Sequence, residues 1–266
     1  MNKKNNIFFQ QYENCVICEH NCQVNRKFEE GFCRTSDKFF ISSVMTHVGE
    51  EKIINPTLAI FISGCNARCN FCYNSETAFN STKGVEVSPK MLAKQIDFEL
   101  AKNPKIETVS FLGGDPIPHL PKVIKTVSLV ETKTKFVLNS NFYFTEKVLL
   151  EILDYFQVFL VDFKFGNDSC ADKIAQLPNY TEILKRNLKI LQKHNQFDKI
   201  LIRHLLMPNH FDCCFVSVVD WLSENLPSVK FSLLDQFVGK EKLSKSEIEK
   251  AWKYLENKNS GSLKII

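Results

Sequence analysis

The chain has 266 residues, 44% hydrophobic and 24% charged, with 34 basic against 30 acidic side chains. That length buries a sizeable core, and the ordinary apolar content excludes an intrinsically disordered chain. A net charge of +4 is too mild to make nucleic acid or an anionic membrane the main partner.

From the N-terminus, no early stretch supplies the apolar core of about 7–15 residues that a secretory signal needs. The expected compartment is therefore the cytoplasm. Residues 1–40 are polar and cysteine-rich, and read as a metal-binding extension before a main domain over 41–266. Cys15, Cys18, Cys22 and Cys33 can close one site. Zinc and an iron–sulfur centre both suit such a thiolate set, the first as a structural staple, the second as an electron relay or substrate anchor.

After Phe40 the pattern changes. Strand-length runs rich in Phe and β-branched residues occupy 41–48, 58–62, 108–112, 135–138, 158–161, 199–206 and 229–234. Each is far shorter than the ~20 apolar residues of a membrane-spanning helix. Helical spacing lies between them over 90–100, 121–130, 145–155, 182–194, 214–222 and 244–255. Ser244 followed by Glu247 gives the last helix a capping-box start. About six alternations predict an α/β fold with a parallel sheet, too short for a full eight-unit barrel of ~250 residues.

The loop Gly64-Cys65-Asn66-Ala67-Arg68-Cys69-Asn70-Phe71-Cys72 follows the run 58–62 directly. Its C-x3-C-x2-C spacing supplies three thiolates, one fewer than a closed zinc site or a cubane iron–sulfur cluster takes. Either one iron stays open to a substrate or cofactor, or a distant histidine completes a zinc site. Cys170, Cys213 and Cys214 read as small, partly buried apolar residues.

Ligands in parallel α/β folds bind at the carboxyl ends of strands. Several polar groups fall there. Gly113-Gly114-Asp115-Pro116 ends one run, where two glycines let the backbone approach a ligand or simply turn. Asn139-Ser140-Asn141 ends the next. Asp162 and Lys164, two apart, share a face at the end of an apolar strand, and must be liganded or paired with each other. Arg203 and His204 are adjacent and must face opposite sides, so only one points inward.

These motifs carry a resemblance. The three-cysteine loop, with Phe71 before its last cysteine, resembles that of the radical S-adenosylmethionine (radical SAM) enzymes. The block from Cys15 to Arg34, the run His47-Val48-Gly49-Glu50-Glu51, Gly113-Gly114-Asp115-Pro116, His119-Leu120-Pro121, Val161-Asp162-Phe163-Lys164 and Ile202-Arg203-His204 widen it. Together they are similar to uncharacterised proteins related to pyruvate formate-lyase activating enzyme. The resemblance implies an incomplete (β/α)6 barrel with an N-terminal cysteine-rich extension. It implies a [4Fe-4S] cluster on Cys65, Cys69 and Cys72 that cleaves S-adenosylmethionine to a 5′-deoxyadenosyl radical for hydrogen abstraction. Gly113, Gly114, Asp115, Asn139, Ser140, Asp162, Lys164 and Arg203 are then the residues expected to bind that cofactor. The implied partners are a low-potential donor such as flavodoxin or ferredoxin and a glycyl-radical enzyme. Radical modification of a peptide or small molecule is the alternative within the enzymes. A non-catalytic iron–sulfur electron carrier is the alternative outside them, but it needs neither the glycine pair nor the Asp162/Lys164 pair.

Overall fold

The computed structural model describes residues 10–49, 51–258 and 263–266. Glu50, within the family-like run 47–51, lies outside them. Two compact units divide the chain: residues 1–66 with 74–158, and 67–73 with 159–266.

In the first unit the cysteine-rich segment opens on a 3₁₀ turn, Gln10–Tyr12, and is held by a buried arginine. Arg26 is 2% exposed. Its guanidinium donates to the carbonyls of Thr35, Ser36 and Pro118 and to the Thr35 hydroxyl, and lies 4.5 Å from the centre of the Tyr12 ring. A charge this deep is tolerated only when its donors find acceptors.

The segment leads into β1 (Phe40–His47), β2 (Thr57–Ile62), α1 (Ser75–Ala78), β3 (Val85–Glu86), α2 (Pro89–Lys102), β4 (Thr108–Gly113), α3 (Leu120–Val127), β5 (Lys135–Ser140) and α4 (Glu146–Ile152). The strand order is β3-β1-β2-β4-β5. β2, β4 and β5 run parallel, with Ile62 opposite Gly113. β1 departs from the parallel pattern and pairs antiparallel with β2. The reason is the short link between them, too brief for the dozen or so residues a parallel crossover needs. Leu58, Ala59, Ile60, Val109 and Phe111 are buried, as expected of parallel strands covered on both faces. Leu92, Ile96 and Leu100 of α2 are buried as the helical spacing predicts. Ser88 caps that helix by accepting from the Met91 amide, with Pro89 in its first turn.

The second unit contains β6 (Val158–Asp162), α5 (Asp168–Ala175), α6 (Tyr180–Lys193), β7 (Ile200–Leu205), a π-helical turn at Phe211–Val216 running into α7 (Ser217–Asn225), β8 (Lys230–Leu234), α8 (Lys245–Lys258) and β9 (Lys264–Ile265). Its strands lie in the order β6-β7-β8-β9, all parallel. The α8 capping box is present: Ser244 N–H donates to the Glu247 carboxylate at 2.9 Å, and Glu247 N–H to Ser244 Oγ at 3.2 Å. α5 has no counterpart in the sequence reading, because eight residues, half of them polar, carry too little periodicity. Asn167 starts it, accepting from the Cys170 amide at 2.8 Å. No helix among the described residues is long and apolar enough to cross a membrane.

Candidate functional site

The first unit holds the start of the three-cysteine loop and the ends of β4 and β5. Cys65 is buried directly after β2. The next residue, Asn66, is fixed on three sides. Its side chain donates to the Tyr143 carbonyl at 2.9 Å and accepts from Asn141 Nδ2 at 2.7 Å, while its carbonyl lies 2.8 Å from His20 Nε2. Gly113 has φ +118°, and a Cβ there would strike the backbone of Ile62. A Cβ on Gly114 would strike the Gly64 carbonyl. The glycine pair thus lets the end of β4 lie backbone-to-backbone against the start of the cysteine loop. Asp115 is 4% exposed, its carboxylate accepting from the amides of Ile117 at 3.0 Å and Asn141 at 2.8 Å. Ser140 Oγ accepts from the Phe142 amide at 3.1 Å. Asn139 is half-buried.

The second unit holds Cys69 and Cys72. Arg68 and Asn70 donate backbone amides to the carbonyls of Ala175 and Ile174 at 2.8 and 3.0 Å, so the end of α5 fixes this stretch. Asp162 of β6 is the register partner of Arg203 of β7. Its carboxylate accepts from Arg203 Nε at 2.6 Å and Lys164 Nζ at 2.5 Å, with the three side chains 17–18% exposed. Burial pushes the Asp162 carboxyl up, but Arg203 and Lys164 outweigh it and hold the group at about 2. Tyr180 braces the corner, its hydroxyl donating to the Asp162 carbonyl at 2.7 Å and accepting from the Lys164 amide at 3.1 Å. Burial pushes the Cys69 thiol up to about 11, against the opposing charge of Lys164. A thiol in that setting ionises when a metal takes its proton's place. His204 faces away from Arg203 as strand alternation requires. It is fully buried, with Nδ1 2.7 Å from the Phe163 carbonyl.

Of the extension's cysteines, Cys15, Cys18 and Cys33 are buried. Burial raises the Cys15 and Cys18 thiols, and the charges of the other cysteines of the set raise them further. Thiols gathered this closely are a donor set suited to a cation. The Phe32 amide donates to Cys22 Sγ at 3.3 Å, and Cys33 Sγ lies 3.0 Å from Thr35 Oγ1.

One grouping escaped the sequence reading. Cys170, Cys213 and Cys214, taken there as apolar filler, converge with His210. The available signal was His210-x2-Cys213-Cys214, positions that share one face of a helical turn.

Residues 59–222 match the sequence profile of the Radical SAM superfamily. An uncharacterised protein of Methanocaldococcus jannaschii is 37% identical over 264 residues, covering 93% of this chain and 76% of that protein. Among solved structures, Streptococcus suis SuiB bound to S-adenosylmethionine is similar with a TM-score of 0.59 at 14% identity over 76% of this chain. This chain spans about half of SuiB, 47% of its length. A radical SAM methyltransferase from Sphaerobacter thermophilus has a TM-score of 0.59 at 11% identity, covering 84% of this chain and 68% of its own. QueE from Escherichia coli has a TM-score of 0.51 at 10% identity, covering 86% and 94% respectively. At these identities the structures speak for the fold, a mostly parallel α/β architecture.

Proposed function

The chain belongs to the radical SAM superfamily, and from that membership we propose that it abstracts hydrogen from a polypeptide segment, the loop of a glycyl-radical enzyme being one such segment. Its cofactors are a [4Fe-4S] cluster and S-adenosylmethionine. Cys65, Cys69 and Cys72 would hold the cluster, a set of three thiols that suits an iron left open to a cofactor. When bound, the cluster supplies the low-potential electron that splits S-adenosylmethionine into methionine and the 5′-deoxyadenosyl radical.

The chain's own residues would bind and orient. Lys164 and Arg203 are the cations for the methionine carboxylate, a role that suits the planar fork of Arg203. Asp162 is the positioning residue that holds both cations in place. Gly113 and Gly114 allow close backbone approach, and Asn139 and Ser140 offer short polar groups. Asp115, with both carboxylate oxygens on backbone amides, fixes the turn.

The observation that carries this reading is the C-x3-C-x2-C loop in a chain matching the superfamily. The polypeptide substrate draws support from the activating-enzyme resemblance, and from SuiB having been crystallised with its precursor peptide. A low-potential donor such as flavodoxin or ferredoxin would supply the electron. Anaerobically reconstituted protein should release 5′-deoxyadenosine under strong reductant, and Cys69→Ala should abolish that release. Undiminished release by the variant would overturn the assignment.

A further inference from the structure

The second unit carries a set of potential ligands that the radical chemistry does not use. Cys170 lies in α5, while His210, Cys213 and Cys214 lie on the turn after β7. All four ligand atoms fall within 4.8 Å of one another. His210 Nδ1 stands 3.2 Å from Cys213 Sγ, 3.6 Å from Cys170 Sγ and 3.7 Å from Cys214 Sγ. Cys213 Sγ is 3.9 Å from both other sulfurs.

These separations have a chemical meaning. Zinc–sulfur bonds of about 2.3 Å and zinc–nitrogen bonds of about 2.0 Å put tetrahedral ligand edges near 3.8 Å for two sulfurs and near 3.5 Å for sulfur and nitrogen. A disulfide would need about 2.05 Å. Thiols on different irons of a polynuclear cluster stand farther apart than these do. Hydrogen bonding alone does not account for the convergence either, because one imidazole nitrogen cannot serve three sulfurs, whereas a central cation serves all four atoms.

Asn167, at the start of α5, faces the set. Asn167 Nδ2 donates to Cys170 Sγ at 3.3 Å and to the Cys213 carbonyl at 2.9 Å. A Cβ at Gly166 would come within 2.6 Å of the Cys213 carbonyl and 2.7 Å of the Cys214 carbonyl, so only glycine lets the two backbones approach this closely. N–H donors to coordinating sulfurs are the outer contacts that orient ligands in metal sites. The local helix is π-helical over Phe211–Val216, a geometry that concentrates at functional sites.

We propose that Cys170, His210, Cys213 and Cys214 bind one tetrahedral zinc ion. Four protein ligands leave it no open position, which makes it a structural ion. It would tie α5 to the turn after β7. That turn supplies Met207, Pro208 and His210 to a cleft of about 320 Å³ that Asn70 and Phe71 of the cysteine loop also line. The ion would therefore fix one wall of the cleft.

The test reads zinc rather than turnover, so it stands apart from the proposed activity. Full-length protein carrying Cys15→Ala and Cys18→Ala, which disables the extension's site, should retain one zinc per chain by elemental analysis. Adding Cys213→Ser and Cys214→Ser should remove that zinc and leave iron and sulfide unchanged. Zinc-edge X-ray absorption should report three sulfurs and one nitrogen in the first protein, and loss of the imidazole signal on His210→Ala. That single variant keeps the test decisive where the serine pair fails to fold. A folded first protein without zinc, a mononuclear iron in its place, a disulfide among the three cysteines, or an unchanged zinc spectrum in His210→Ala would each overturn the proposal.

Discussion

Asp162 holds two cations with one carboxylate, which makes its two kinds of substitution separable. Lys164→Ala removes a candidate carboxylate contact and should weaken S-adenosylmethionine affinity about tenfold or more, at about 1.5–3 kcal/mol for a charged hydrogen bond. Iron content should stay near that of the parent. Asp162→Asn instead strands Lys164 and Arg203 beside a neutral amide and should cost about 3 kcal/mol of stability, read from a denaturation midpoint. Two buried histidines set the acid response. Burial lowers His204 to about 4, partly offset by its bond to Phe163. His119 is lowered well below its ordinary value by burial, with Arg26 and Lys122 adding to it. Both are less basic folded than unfolded, where histidine titrates near 6.5. The stability they contribute is whole above roughly pH 6.5 and shrinks as the pH falls toward 4. His204 alone accounts for about 3 kcal/mol of that loss. Urea midpoints compared at pH 7 and 4.5 should show the decline, and His204→Gln should flatten it. At this scale the sequence carried the cysteine spacing and the charged strand ends. It did not carry the partners of Asp115, since an acid after two glycines looks equally ready for a ligand or for two backbone amides.

Helices with a recognisable apolar period were legible, and the short α1 and α5 were not. Ser244 and Glu247 announced α8, and both reciprocal bonds are present. Ser244→Ala should cost about 1 kcal/mol and speed amide exchange in the first turn of α8 roughly fivefold, with little change in β7. Continuous apolar runs revealed β2, β4, β6 and β7, because strands buried on both faces have no polar side to disguise them. The direction of β1 was hidden, since apolar content says nothing about polarity of pairing and only the length of the link to β2 decides it. The four-ligand group of the second unit was hidden for another reason. His210, Cys213 and Cys214 do show a helical spacing, but Cys170 comes from the unforeseen α5, and a ligand on a separate element has no spacing to recognise.

At the scale of the whole molecule, two kinds of thiolate site would serve different ends in one chain. The extension's cysteines precede the parallel strands, and a set of four thiolates leaves no ligand position for S-adenosylmethionine. Cys15→Ala with Cys18→Ala should therefore lose one zinc, or one complement of iron and sulfide, and keep the zinc of the second unit. The iron bound through Cys65, Cys69 and Cys72 and the substrate-independent release of 5′-deoxyadenosine should persist. If release stopped while that iron remained, the extension would be an electron relay. The anchoring of this segment also has a consequence in time. Arg26 bonds to Pro118, 92 residues later, and Thr145 bonds to Val16 across 129. Synthesis at about 5–20 residues per second brings those partners out on the order of ten seconds after the cysteines. Cys15, Cys18, Cys22 and Cys33 thus spend that interval without those two long-range anchors. An ion taken up by these four thiols during translation would arrive before the anchor to Pro118 forms, and the supply of metal at the ribosome would decide which ion that is.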